Sequence, residues 1–215
     1  MKTILFLIPT YKYISSPCFA SFSKFFFNVK KHYNVKLGLC EGMYITEARS
    51  MLVERYYTGL DEEQKKEIDV IMWIDDDVVF DMKHVTGLIE KFESSGLDML
   101  SALCFSRFNE EAMAYTLDFE QKKPLISLGN IRNTGVVKCD AAGFGFLVMK
   151  PKVLDKMHSS LGKWMFKTPI MPTKTFKEGI HIGEDTYFFM KAKELGITMG
   201  VDTDLIVGHY GGVIG

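Results

Sequence analysis

The chain has 215 residues, 47% of them hydrophobic and 13% aromatic, with a formal net charge of −1. That length supports one substantial core and predicts a single domain, and the aromatic content excludes a disordered chain. Acidic and basic residues nearly balance, which removes the global positive field of a nucleic-acid binder. No nucleic-acid partner is expected, and only a local basic patch could serve one.

The opening residues, MKTILFLIPTYK, have the look of a secretory leader. Their apolar run at 4–8 is only five residues long, short of the roughly 7–15 that a leader needs. A first buried strand is the better reading. Residues 17–29 predict an aromatic-rich helix, 35–40 a second strand, 45–57 a helix and 70–74 a third strand. A helix at 82–94, stopped near Gly96, and a strand at 99–105 follow. Strands alternating with helices predict an α/β fold with a mixed, mostly parallel sheet covered by helices on both faces.

The second half is less regular. Strands are predicted at 136–139 and 144–149, and a short helix begins at Lys150 and Pro151. A helix at 183–195 ends at Gly196, and short strands follow at 197–201 and 205–207. Residues 161–182 are rich in Lys, Pro and Gly and predict a mobile loop over a site. The closing GHYGGVIG has no helical cap, which leaves continuation into a longer protein open. No run approaches the roughly 18 apolar residues of a membrane span. The four cysteines, Cys18, Cys40, Cys104 and Cys139, form no CxxC pair and no zinc-finger spacing. Reduced, buried thiols and a cytoplasmic location are the expectation.

Ligands of open α/β sheets bind at the C-terminal ends of parallel strands. Three such ends carry Pro9, Thr10 and Tyr11; Glu41 and Gly42; and Asp75, Asp76 and Asp77. The stretch VIMWIDDDVVF drives an apolar strand into three adjacent carboxylates, more than a polar turn needs. Two carboxylates one residue apart can share a divalent cation, and hard oxygen ligands suit Mg2+ or Mn2+. Arg49, in YITEARSMLVERYY, falls inside the apolar stripe formed by Ile45, Ala48, Leu52 and Tyr56. A buried arginine needs a carboxylate or phosphate partner, here the cluster of Asp75, Asp76 and Asp77 or a bound phosphate, whereas one at the stripe's edge could reach out to water. Glu184 and Asp185 begin a helix, where they could cap it or accept a proton from a substrate hydroxyl. His209 follows an apolar strand and could be structural or supply a nitrogen ligand. The small residues of CDAAGFGF, Gly143 among them, allow either a ligand or a neighbouring strand to approach closely.

Taken in order, these motifs resemble the GT-A glycosyltransferases, nucleotide-sugar-dependent enzymes of the SpsA-like type, over nearly the whole chain. IPTYK is similar to the opening strand and nucleotide-binding turn of that family, and EARSMLV to its arginine-bearing helix. WIDDDVVF resembles the DxD strand, and ALCFSRF a following strand with a basic residue at Arg107. AAGFGFLVMK resembles the wall of the donor and acceptor pocket. GEDTYFFMKAKELG resembles the acidic motif, and GHYGG a late metal ligand. One position departs: the family often has Asn after the arginine, and here it is Ser50.

The resemblance implies a hexosyl transfer from a UDP-sugar to a hydroxyl of a glycan or glycoconjugate acceptor, assisted by Mn2+ or Mg2+. Pro9, Thr10, Tyr11, Arg49, Asp75, Asp76, Arg107 and Gly143 would contact the donor. Asp75, Asp77 and His209 would hold the metal. Asp185 would deprotonate the acceptor if the reaction inverts, with Glu184 beside it; a retaining reaction would need no base there. Glucose, galactose, rhamnose and N-acetylglucosamine donors all remain open. The compactness is similar to transferases encoded by large viruses and phages, which would place the protein in the host cytoplasm.

Three rivals share parts of the pattern. Asp75, Asp77 and Val79 fit the DxDx(T/V) motif of haloacid dehalogenase-type phosphohydrolases, whose first aspartate is a nucleophile. That motif usually ends the first core strand, whereas here two predicted strands precede it. A sugar nucleotidyltransferase needs a glycine-rich basic loop after the first strand, and PTYKYISSPC has no glycine. A non-catalytic carbohydrate-binding module would not require the whole set of charged residues.

Overall fold

A computed structural model of the protein describes residues 1–105, 111–118, 125–172 and 177–210, with the His209 side chain outside the described set. In chain order the elements are β1 (Thr3–Thr10), α1 (Ser16–Val29), β2 (Asn34–Glu41), α2 (Ile45–Val53), α3 (Glu62–Lys66), β3 (Val70–Ile74), β4 (Val78–Val79), α4 (Met82–Ser95) and β5 (Met99–Leu103). They continue as β6 (Ala114–Leu117), β7 (Leu125–Ser127), β8 (Val136–Lys138), β9 (Ala141–Ala142), β10 (Phe146–Met149) and α5 (Pro151–Leu161). The last are β11 (Ile170–Met171), β12 (Ile180–His181), α6 (Glu184–Glu194), β13 (Met199–Ile206) and β14 (Gly208–His209).

The main sheet has seven strands in the order β2-β1-β3-β10-β5-β13-β8. Strands β2, β1, β3, β5 and β13 run parallel, while β10 and β8 run against them. Strands β1, β3 and β5 read as nearly continuous apolar runs because both their faces are buried. In β1, Leu5 and Leu7 enter one core cluster, together with residues of α2, α5 and α6. Ile4, Phe6 and Ile8 enter the other, with α1 and α4. Helix α4 starts at a capping box between Asp81 and His84 and stops where Gly96 takes φ 72°, a conformation that costs glycine little.

Several expectations need correction. The helix predicted over 45–57 ends at Val53 and widens into one π-type turn, closed by Gly59 N–H donating to Glu54 O at 3.0 Å. The turn carries Tyr57, 1% exposed, whose hydroxyl donates to Pro151 O at 3.2 Å. The two short strands predicted at the end are one strand, β13, irregular between Asp202 and Ile206. The segment 161–182 is not simply a loop over a site. Met165 and Phe166 are buried, and Phe166 stacks on Phe188 with centroids 4.8 Å apart. Beyond this anchor β11 and β12 form a hairpin; residues 173–176 lie outside the described set. All four cysteines are buried and unpaired. No helix among the described residues is long and apolar enough to cross a membrane.

Asp98 ties the entry of the sheet together. It accepts from the backbone N–H of Thr198 at 3.2 Å and from the Thr198 hydroxyl at 3.1 Å, and it pairs with Lys152 at 2.7 Å and Lys150 at 3.3 Å. Burial alone would raise its pKa, but the bonds from Lys152, Thr198 and Lys150 together outweigh burial and hold it below the ordinary 3.8. Its stabilising contribution is therefore full above pH 3.8 and is lost as pH falls below it. Asp98→Asn should cost about 2 kcal/mol at pH 7, and the gap to the unaltered protein in urea unfolding should shrink at pH 3. An unchanged gap would refute this role.

Candidate functional site

The site begins at the C-terminal end of β3. All five residues of β3 are buried, and Asp75 stays in the sheet by donating its N–H to Gly145 O at 2.8 Å. The chain then turns sharply, with Val78 N–H donating to Asp75 O at 3.3 Å. The three aspartates are thereby distributed over a strand end and a turn. Asp76 Oδ2 accepts from the Tyr11 N–H at 3.2 Å, which ties the end of β1 to this turn. Asp77 sits where β4 pairs with β14, and its carbonyl accepts from Tyr210 N–H at 2.7 Å.

Arg49 is 2% exposed, so the alternative of a side chain reaching out to water is overturned. Its Nη2 donates to Asp75 Oδ2 at 2.9 Å, and its Nε lies 3.6 Å from Glu184 Oε1. The guanidinium lies over the Phe144 ring at 4.3 Å and the Trp73 ring at 5.7 Å. Phe144 meets Trp73, Phe166 and Phe188 edge to face at 5.3–5.4 Å. Arg49 Nε and Nη1 remain buried without a hydrogen bond among the described residues. Burial raises the pKa of Glu184; Arg49 offsets part of this, and Asp185 adds to it. Ser50 is fully buried and donates to Thr46 O at 2.9 Å, so it faces its own helix.

Glu184 and Asp185 occupy the first turn of α6, behind the N-cap Gly183. Asp185 Oδ1 accepts from Thr186 N–H at 2.6 Å and lies 3.3 Å from the Thr186 hydroxyl. A carboxylate suits this end of a helix dipole. Gly145 is small for a neighbour within the protein: a Cβ there would lie 3.1 Å from Asp75 Oδ2. A Cβ on Gly143 would lie 3.2 Å from Cys104 Cβ.

These side chains open on one cleft of about 640 Å³. Of the residues singled out in the sequence, Pro9, Thr10, Tyr11, Arg49, Asp75, Asp76, Asp77, Gly143, Glu184 and Asp185 line it. From the end of β2, Met43 and Tyr44 line the cleft in place of Glu41 and Gly42. Arg107 lies outside the described residues. The backbone of His209 pairs with Val78, next to Asp77; its side chain lies outside the described set. Sequence reasoning missed Tyr44, Met113 and Phe144. Tyr11 and Tyr44 stack at the rim, 6.2 Å apart and 25° from parallel.

A hard divalent cation fits this donor set. Asp75 Oδ1 is buried without a hydrogen-bond partner among the described residues, and Asp77 is two residues away. No group of three metal-capable side chains is gathered among the described residues. Mg2+-like ions are commonly held by one or two carboxylates plus substrate phosphates, so two carboxylates suffice as the protein's share.

No protein-family model and no curated protein matches the chain. Solved structures do match. That of A197 from STIV superposes with a TM-score of 0.58 at 19% identity, covering 98% of this chain and 86% of that one. GalNAc-T7, solved with UDP, GalNAc and Mn2+, superposes with a TM-score of 0.60 at 9% identity. That match covers 100% of this chain and 44% of the other, so the chain spans less than half the length of that protein. The fold is GT-A, a mixed and mostly parallel sheet with helices on both faces.

Removing Arg49 leaves two half-buried carboxylates without their cation. Arg49→Met should cost about 3–5 kcal/mol in urea unfolding, and adding Glu184→Gln should restore about 1–3 kcal/mol. Glu184 binds its proton more tightly folded than unfolded, so stability falls as pH rises through its ordinary value of 4.5. That fall should steepen in Arg49→Met. Additive costs in the double variant would show that the two side chains do not interact.

Proposed function

We propose that the chain is a single-domain, metal-dependent glycosyltransferase that moves a hexosyl group from a UDP-sugar to a hydroxyl of a glycan or other acceptor. One observation carries this reading: Asp75, Asp77, Arg49, Glu184 and Asp185 converge in a cleft at the C-terminal ends of parallel strands. The GT-A neighbour solved with UDP and Mn2+ supports it.

In this reading Tyr11 and Tyr44 offer ring faces to the base, and Pro9 and Thr10 border the nucleoside. Asp77 is the principal metal ligand, and Asp75 is shared between the metal and Arg49. A bound Mn2+ or Mg2+ ion supplies Lewis-acid neutralisation of the charge that develops on the leaving diphosphate. Arg49 holds Asp75 in place and brings positive charge to the same wall. Asp185, oriented through Oδ1 by Thr186, takes the acceptor proton at its other oxygen in an inverting displacement. Glu184, beside it, serves as the second partner of Arg49. A nucleophilic role for Asp75, as in a phosphohydrolase, fits poorly with its ion pair to Arg49.

Asp77→Ala should abolish Mn2+-dependent nucleotide binding in calorimetry while leaving the melting temperature within a few degrees of the unaltered protein. Asp185→Asn should bind donor normally and transfer sugar about 10²–10⁴-fold more slowly. A thermal-shift series of UDP-sugars with and without Mn2+ would identify the donor. Mn2+-independent binding of every nucleotide sugar would rule the metal assignment out.

A further inference from the structure

The first 40 residues contain six lysines, Lys2, Lys12, Lys24, Lys30, Lys31 and Lys36, and no aspartate or glutamate, in a chain whose net charge is −1. Helix α1 runs through this basic stretch. It buries Cys18, Ser21, Phe22, Phe25 and Val29. Its other side, with Phe19, Phe26 and Phe27, faces a groove of about 660 Å³ whose far wall includes Leu37 and Leu39 of β2. Strand β2 is the edge of the main sheet. Phe27 is 86% exposed, Phe19 62% and Tyr13 83%. Phe19 and Phe27 line the same groove, and large rings left this open on one groove mark an interaction surface.

The charges say which kind. At 3.6 residues per turn, Lys24 lies on the same face of α1 as Phe27, and Lys30 and Lys31 follow in the C-cap and the turn directly beyond the helix. All three lysines are exposed, and none forms an ion pair among the described residues. The acidic residues Glu90 and Glu93 belong to α4, which packs on β5, β10 and β13 and also on α1; Glu93 pairs with Lys2 and Glu67 with Lys36, which leaves the lysines around Phe27 as the uncompensated ones. Exposed aromatic rings bordered by lysines on a surface helix are the pattern of an interfacial membrane contact. The rings enter the boundary between headgroups and acyl chains, and the ammonium groups meet anionic headgroups. A second copy of the chain fits less well, because a symmetric contact would set the same lysines against each other.

We infer that α1 and the edge strand β2 form a docking surface for an anionic lipid bilayer. Lys12 alone separates Tyr13 from the cleft-lining Tyr11, so docking would hold the mouth of the cleft beside the lipid. This inference stands apart from the chemistry assigned to the cleft.

The test is co-sedimentation of the full chain with vesicles at low ionic strength. Vesicles containing one-third phosphatidylglycerol should pellet the protein, and pure phosphatidylcholine vesicles should bind it at least about tenfold more weakly. Lys24→Glu, Lys30→Glu and Lys31→Glu combined should weaken binding to the anionic vesicles by about a hundredfold or more. Phe19→Ser with Phe27→Ser should weaken it by at least about tenfold. Every altered side chain is exposed, so melting temperatures should stay unchanged, and the two sets test the surface independently. Absence of binding to anionic vesicles, indifference to lipid charge, or unchanged binding by both sets would overturn the proposal. So would a dimer in light scattering that Phe19→Ser with Phe27→Ser dissolves.

Discussion

The architecture turns on one buried positive charge. Taking a guanidinium out of water costs several kcal/mol even after relaxation. Arg49 is offset by Asp75 on one side, Glu184 on another and the face of Phe144 beneath. Those three partners come from the end of β3, the start of α6 and the residues leading into β10. One side chain therefore sets the spacing of three segments that have no sequence proximity. The aromatic stack of Trp73, Phe144, Phe166 and Phe188 gives the arrangement a rigid floor. That floor is why Met165 and Phe166 fold into the core.

The unmet donors of Arg49 and the unmet oxygen of Asp75 belong to two side chains joined in one ion pair. Buried polar groups in native proteins are almost always paired, so this concentration around one ion pair is unusual and is the structural ground for the proposed ligand site. The backbone follows the same logic. Gly145 lacks a side chain where the Asp75 carboxylate needs the space, and Ser50 turns its hydroxyl back onto its own helix.

Much of this was legible in the amino-acid order, for identifiable reasons. Val70–Ile74 is a continuous apolar run, and the strand appears with those bounds. Met82–Ser95 carries its start and stop in Asp81 and Gly96. Arg49 inside an apolar stripe required a partner. The acidic cluster at 75–77 offered one, and Asp75 takes that part; Glu184 was not nameable as the second, because pairing between distant segments leaves no local period. The direction of β10 was hidden for the same reason, since a fully buried strand reads alike in either orientation. Strands β9, β11 and β14, of two residues each, are too short to carry any alternation. Phe144 was overlooked because its neighbouring glycines drew attention to space, and the ring between them supplied the contact.

The small ribbon of β4 and β14 has a consequence for biosynthesis. The turn bearing Asp77 is closed on its outer side by Gly208, His209 and Tyr210. During translation the three aspartates leave the ribosome long before those residues do. Until then the turn lacks its outer pairing, however well the first strands have already collapsed. Completion of the acidic turn thus waits on a segment far downstream, and a nascent chain truncated before Gly208 would carry the aspartates in an unfinished setting. Assembly of the site is in this sense gated by one distant segment, not by the strand that bears the aspartates.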